Sequence, residues 1–293
     1  MNARKLLLKL RLCHGIGPRG EHRVYLRIRH YLNQNIRINV SVSEIIRIAR
    51  ISSRCKMTFL RDYFSRDLQN RIRLNERERW LCILDSEYPI RLREANYPPN
   101  ILFYRGRLNL LATRCLGVVG ARKNSQYSVD AIRKILPPVI KKKVTIVAGL
   151  AEGVDSLGHQ CAIANRGNTI AVIGTGLDQI YPRYHRDLQN YIGKHQLLLT
   201  EYPLGSRPLG FHFPARNRII AGLIETIVII EARERSGSLI TANLALDDNR
   251  NVTAVPGSII SPLSNGCNGL IMKGAKPIRC AKDLLREFRH LTK

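Results

Sequence analysis

A chain of 293 residues, 44% of them hydrophobic, has room for one large domain and a small one and is too apolar for wholesale disorder. Its 48 Lys and Arg against 22 acids give a net charge of +26, which calls for nucleic acid or an anionic membrane surface as partner, unless it reflects only a basic proteome or charge-based solubility. Seven cysteines, an odd number with no CxxC pair, speak against a zinc ribbon and a disulfide framework and fit a reducing cytosol.

The leading segment is the most basic. Residues 1–75 hold 17 Lys or Arg against 4 acids, a net +13; the much longer remainder also totals +13. Leu6, Leu7 and Leu10 recur at helical spacing, and Lys9 and Arg11 interrupt the run, so it is not a signal core. No apolar run approaches the roughly 18 residues of a membrane span, and a cytoplasmic location is expected. Gly15-Ile16-Gly17-Pro18 is a tight break, after which Val24, Leu26, Ile28 and Tyr31 resume a helix. This layout is shared by helix-hairpin-helix modules, whose hairpin amides hold a phosphate, and by ordinary turns between helices; both readings stay open. Two more short helical patterns fill 42–73. Residues 1–75 are therefore expected to form a small, basic, all-α domain of helix-hairpin-helix or SAM-like type, and 76–293 a second domain. Within the latter, Tyr88-Pro89 and Tyr97-Pro98-Pro99 break up 76–106, which reads as a connector with an edge strand at Ile101–Tyr104.

From about residue 115 short apolar runs alternate with helical stretches. The runs are Leu116–Val119, Val144–Ala148, Thr169–Ile173, Leu197–Glu201, Thr226–Ile230 and Val252–Val255. They are mostly β-branched and nearly uninterrupted, as strands buried on both faces are. The alternation predicts an α/β fold with a mostly parallel, doubly wound sheet, in which ligands sit at the carboxyl ends of the strands.

The distinctive residues cluster at those ends. After the first run, Gly120, Ala121, Arg122 and Lys123 form a small-residue turn leading into a helix, where free amides and the helix dipole favour an anion and Arg122 adds a planar cation. After the second, Gly149 and Gly153 permit close backbone approach, and Asp155 is placed to cap a helix; His159 reads as structural, because no Ser or Cys partner accompanies it. Gly174-Thr175-Gly176 lacks the third glycine of a dinucleotide fingerprint. In the run from Phe211 to Gly222, Arg216, Asn217 and Arg218 stand beside two phenylalanines at the start of an apolar helix. Arginines there oppose the helix dipole, which points to a bound anion. Ser236, Gly237, Ser238 and Thr241 follow the fifth run and supply a cap and a further amide cradle. Glu201 and Glu231, each at the end of a strand, offer a carboxylate pair for acid–base work but read rather as structural or as orienting nearby arginines. There is no Walker A run, HExxH or Cys/His metal spacing, and neither a cofactor nor a metal is expected.

The runs 149–155 (GLAEGVD), 213–220 (FPARNRII), 236–241 (SGSLIT) and 255–258 (VPGS), in this order and spacing, resemble the DNA-processing protein A family (DprA, also called Smf); Gly120-Ala121-Arg122 stands where that family usually has Gly-Ser-Arg. The resemblance spans about Tyr88 to Leu285, and the basic helical leader is similar to the family's small leading domain. It implies an extended Rossmann-like fold, sequence-independent binding of single-stranded DNA, homodimerisation and delivery of incoming DNA to a RecA-type recombinase in natural transformation. No catalysis is implied. Carried over, Gly120–Arg122 with Lys123 grips a phosphate, Arg216, Asn217 and Arg218 line the same basic pocket, and Ser236, Gly237, Ser238 and Thr241 complete the cradle. The sequence departs from the family in three places. Glu152 stands where an Arg is usual, Asn168 where a DNA-binding Lys is common, with Arg166 as the residue expected to compensate, and Ala121 removes a hydroxyl. The winged-helix domain that many members carry at the carboxyl end is not expected here.

Two other functions compete. A nucleotide-processing enzyme of the lysine-decarboxylase-like phosphoribohydrolase type needs a Pro-Gly-Gly-x-Gly-Thr-x-x-Glu loop, which the chain lacks. A membrane-surface protein needs a basic amphipathic helix with exposed bulky side chains, for which Leu6–Leu12 is a weak candidate.

Overall fold

The computed structural model describes residues 2–288, which form two compact units; the outermost limits of the expected domains, residue 1 and residues 289–293, lie outside the described residues. The first unit runs to Tyr88 and takes in Tyr97–Phe103. It holds five helices, α1 (Ala3–Leu12), α2 (Pro18–Asn33), α3 (Val42–Ala49), α4 (Ser53–Tyr63) and α5 (Arg66–Asn75), followed by strand β1 (Arg79–Cys82). Three helices, rather than the expected two, fill 42–73, because polar residues punctuate the stretch. Ser41 and Ser65 cap α3 and α5 by accepting from Glu44 N at 3.2 Å and Leu68 N at 3.0 Å, and Ser52 begins α4. Leu6, Leu7, Leu10, Ile28, Ile45, Phe59 and Leu68 are fully buried in this unit. The stretch read as a connector contains β1 and a short helix, α6 (Ile90–Arg93), which belongs to the second unit. Strand β2 (Ile101–Gly106) carries the chain from the first unit into the second.

The second unit continues β3 (Cys115–Gly120), α7 (Gln126–Lys141), β4 (Thr145–Ala148), α8 (Val154–Ala164), β5 (Thr169–Val172), α9 (Arg186–His195), β6 (Leu197–Thr200), α10 (His212–Leu223), β7 (Thr226–Ile230), α11 (Gly237–Asp247), β8 (Asn251–Ala254), α12 (Asn265–Met272), β9 (Lys276–Pro277) and α13 (Ala281–Arg286). Its strands lie in the order β6-β5-β4-β3-β7-β8-β9, each paired in parallel with its neighbour. This is the Rossmann-like α/β arrangement. Along β3 the side chains alternate: Leu116 and Val118 join the core under α7 and α8, while Gly117 faces Ile224 and Ile227. The chain winds from β3 out to β6, then returns to β7 on the other side of β3. The reversal between β3 and β7 opens a crevice at their carboxyl ends, where open α/β sheets bind ligands.

Candidate nucleic-acid interface

A cleft of about 610 Å³ occupies that position. Gly120, Ala121, Arg122 and Lys123 line it from the end of β3, Arg216 and Asn217 from α10, and Ser236, Gly237, Ser238 and Thr241 from the start of α11. Ten of the twelve residues singled out from sequence thus meet in one hollow.

The loops are held there by tight packing. Gly120 pairs in register with Ile230, and a Cβ at Gly120 would overlap the Ile230 carbonyl, so only glycine fits. Gly153, at φ +80°, lies against the carbonyls of Ala121 and Arg122, and Val154 N donates to Ala121 O at 3.2 Å. The second loop therefore supports the first. Asp155 lies inside α8 rather than before it, and instead of capping it accepts from Gly149 N at 2.9 Å, closing the 149–155 loop; burial pushes its carboxyl above the usual carboxylate range.

Arg216 is 3% exposed and donates Nη1 to the carbonyls of Gly149 and Val172. Burial lowers its pKa to about 10, offset in part by the neighbouring Asp155 carboxylate, so the guanidinium remains charged at neutral pH. Its Nε is buried without a hydrogen-bond partner, as is Ser236 Oγ. Above this buried charge stand the exposed Arg122, Lys123 and Arg233, all lining the cleft. The Ser238 hydroxyl donates to Gly120 O at 2.7 Å and so braces the start of α11 against the end of β3, while that of Thr241 donates to Gly237 O at 3.2 Å within the first turn of α11. The donors that α11 offers outward are its first amides, which have no intrahelical acceptor, at Gly237, where nothing lies within 4 Å of a Cβ position. Phe213 lies 5.2 Å from Tyr181, ring centre to ring centre, and the Arg122 guanidinium sits 5.9 Å from the Phe213 ring. These three residues also border an adjoining depression of about 60 Å³.

Two of the twelve residues are not brought to the cleft. Arg218 forms a two-pronged pair with Glu201, at 2.7 Å for each nitrogen, with Glu201 almost wholly buried. Arg166 lies in the turn between α8 and β5, at the amino ends of the parallel strands and hence on the opposite rim of the sheet. The amino end of α7, expected to be open to an anion, is occupied from within. Glu231 accepts from Ser125 N at 2.8 Å, Ser125 Oγ at 2.5 Å and Ser128 Oγ at 2.6 Å. His159 is fully buried away from the cleft lining, with Nδ1 2.6 Å from Thr169 Oγ1, and is held down to a pKa of about 3 by burial. Arg233 is the cleft cation that sequence reasoning missed. The signal was available, since it is the first basic residue past β7, beside the winding reversal. Among the described residues no His, Cys, Asp or Glu cluster fits a metal, and no helix is long and apolar enough to cross a membrane.

Comparison with known proteins points in one direction. Residues 79–289 match the family model of DNA recombination-mediator protein A. The DNA processing protein DprA of Streptococcus pneumoniae is 45% identical over 242 residues, covering 82% of this chain and 86% of its own length. A crystal structure of DNA processing protein A from S. pneumoniae superposes with a TM-score of 0.88 at 38% identity, over 98% of both chains. The Helicobacter pylori protein, a DNA processing protein A with a described single-stranded-DNA binding mode, gives a TM-score of 0.65 at 27% identity, over 74% of this chain and 98% of its own.

Proposed function

The chain belongs to the DNA recombination-mediator protein A family, and on that premise we propose that its cleft grips the phosphate backbone of single-stranded DNA without reading its sequence. The observation that carries this reading is the convergence of Arg122, Lys123, Arg216 and Arg233 with the first amides of α11 around one hollow. Phosphate is matched by guanidinium forks and amide donors. Bases are matched by aromatic faces, here the exposed Tyr181 and the half-buried Phe213 beside it, which tolerate any base. The binding mode described for the H. pylori relative supports the same ligand. In this reading the protein is a cytoplasmic homodimer that passes bound strands to a RecA-type recombinase and performs no catalysis itself.

Fluorescence anisotropy with a labelled oligothymidylate and its duplex, across a salt series, tests the cleft. Single strands should bind more tightly than duplex, with log affinity falling by roughly 0.7 per phosphate contact for each log of salt. Arg122→Ala should reduce that slope by about one contact, roughly 0.7. An unchanged slope in this variant, or equal binding of the duplex, counts against the cleft.

A further inference from the structure

We propose that the first unit carries a second nucleic-acid backbone site, a cationic patch formed by Arg19, Arg50, Arg54 and Lys56. It is separate from the cleft and does not depend on it. Close backbone contacts between their sequence neighbours bring these residues together within the unit. A Cβ on Gly20 of α2 would stand 3.1 Å from Ala49 O at the end of α3, and Arg23 Nη1 donates to that same carbonyl at 3.0 Å. A Cβ on Gly15 would stand 2.8 Å from Phe59 N and 3.0 Å from Cys55 O, both in α4. The end of α3 therefore meets the start of α2, and the first turn of α4 passes beside the hairpin 15–18; Arg19 and Arg50 adjoin the first contact in sequence, and Arg54 and Lys56 flank Cys55 at the second.

The charge of this patch is uncompensated. All four residues are exposed, and none forms an ion pair among the described residues. Neither 2–20 nor 45–61 contains an Asp or a Glu. The nearby acids are already engaged, buried Glu21 with Arg11 at 3.4 Å and Asp62 with Arg71 at 2.5 Å. The placement also runs against helix electrostatics: Arg19 lies in the first turn of α2, and Arg54 and Lys56 in that of α4, where a cation is repelled by the dipole. A polyanion laid across the patch removes both the mutual repulsion and the conflict with the dipoles. Gly17, with nothing within 4 Å of a Cβ position, leaves room for a strand's backbone to approach. A bilayer fits less well, since it requires a broad exposed apolar face, and in 2–20 and 45–61 only Met57 is an exposed large apolar side chain.

The test uses the full chain, a labelled oligothymidylate and two variants. The combined Arg19→Gln, Arg50→Gln, Arg54→Gln and Lys56→Gln protein should lower the salt slope by roughly 2–3, four contacts at about 0.7 each. Gly17→Asp places a carboxylate two residues before Arg19, at the residue preceding α2, a position that Asp suits. It should weaken binding at low salt while thermal unfolding stays unchanged or rises, which separates the site from the stability of the fold. Unchanged slope and affinity in both variants overturn the proposal, as does loss confined to binding of phosphatidylglycerol vesicles. If Arg122→Ala flattens the slope and these variants do not, the patch fails and the cleft stands; the reverse result leaves the patch and removes the cleft.

Discussion

Arg216 and Arg218 stand two positions apart on α10 and so point to different sides of it. Arg216 places its charge under the cleft, while Arg218 is spent on Glu201. Removing one partner of a buried pair strands the other charge, so Arg218→Ala should cost about 3–5 kcal/mol in urea unfolding. The same variant, measured under conditions where it is folded, should leave the salt slope of DNA binding unaltered; a flattened slope would return Arg218 to the interface. His159 makes a different residue-scale prediction. Its pKa is about 3 in the folded state against 6.5 for the free side chain, so below pH 6.5 the unfolded chain binds a proton that the folded chain refuses. Its contribution is complete above pH 6.5 and is lost as pH falls toward 3. At pH 5 the loss is about 2 kcal/mol, from about 1.5 units at 1.36 kcal/mol each. In denaturant melts between pH 7 and pH 5, His159→Gln should show a shallower decline than the parent protein. Equal declines would mean that this histidine does not drive the acid sensitivity.

At the scale of elements, the end of β7 governs the start of α7. Glu231 gathers one backbone and two hydroxyl donors there, so Glu231→Ala should destabilise the second unit by about 2–4 kcal/mol, read from the denaturant midpoint. This contact links residues about a hundred positions apart, and no local pattern announces it. What was legible in sequence is what local patterns do encode. The six apolar runs became β3 to β8 with ends displaced by a residue at most, because strands buried on both faces cannot tolerate polar interruption. Part of the cleft was legible for the same reason, since Gly120 and Arg122 sit at and just past the end of the first run, whereas Arg216 was read from its place near the start of an apolar helix and Arg233 was missed. The edge elements were not legible. Strand β1, with the sequence RWLC, and the two-residue β9 have no sustained apolar pattern, and α7 continues through Pro137 and Pro138, which a local reading treats as breakers. Nor could spacing alone show that Arg218 faces Glu201, or that Arg166 falls on the rim opposite the cleft, because both depend on strand order and direction.

At the scale of the whole molecule, a net charge of +26 spread over two units means that ligand and salt act on stability as well as on affinity. A ligand that binds only the folded state adds RT ln(1 + [L]/Kd), about 2.7 kcal/mol at a hundredfold excess over Kd. In scanning calorimetry at low salt, an oligothymidylate at that excess should therefore raise the unfolding temperature by roughly 5–10 °C. The rise should vanish once salt has weakened binding below the ligand concentration used. A two-unit chain need not unfold in one step, and this makes the measurement more informative. If only the cleft held DNA, only the transition of the second unit would move. With a backbone site on each unit, both transitions move, and the combined Gln variant of the first-unit patch should hold one of them still while the other continues to shift. An oligonucleotide that leaves every transition in place at low salt would show that the positive charge of this chain serves solubility and not the capture of a strand.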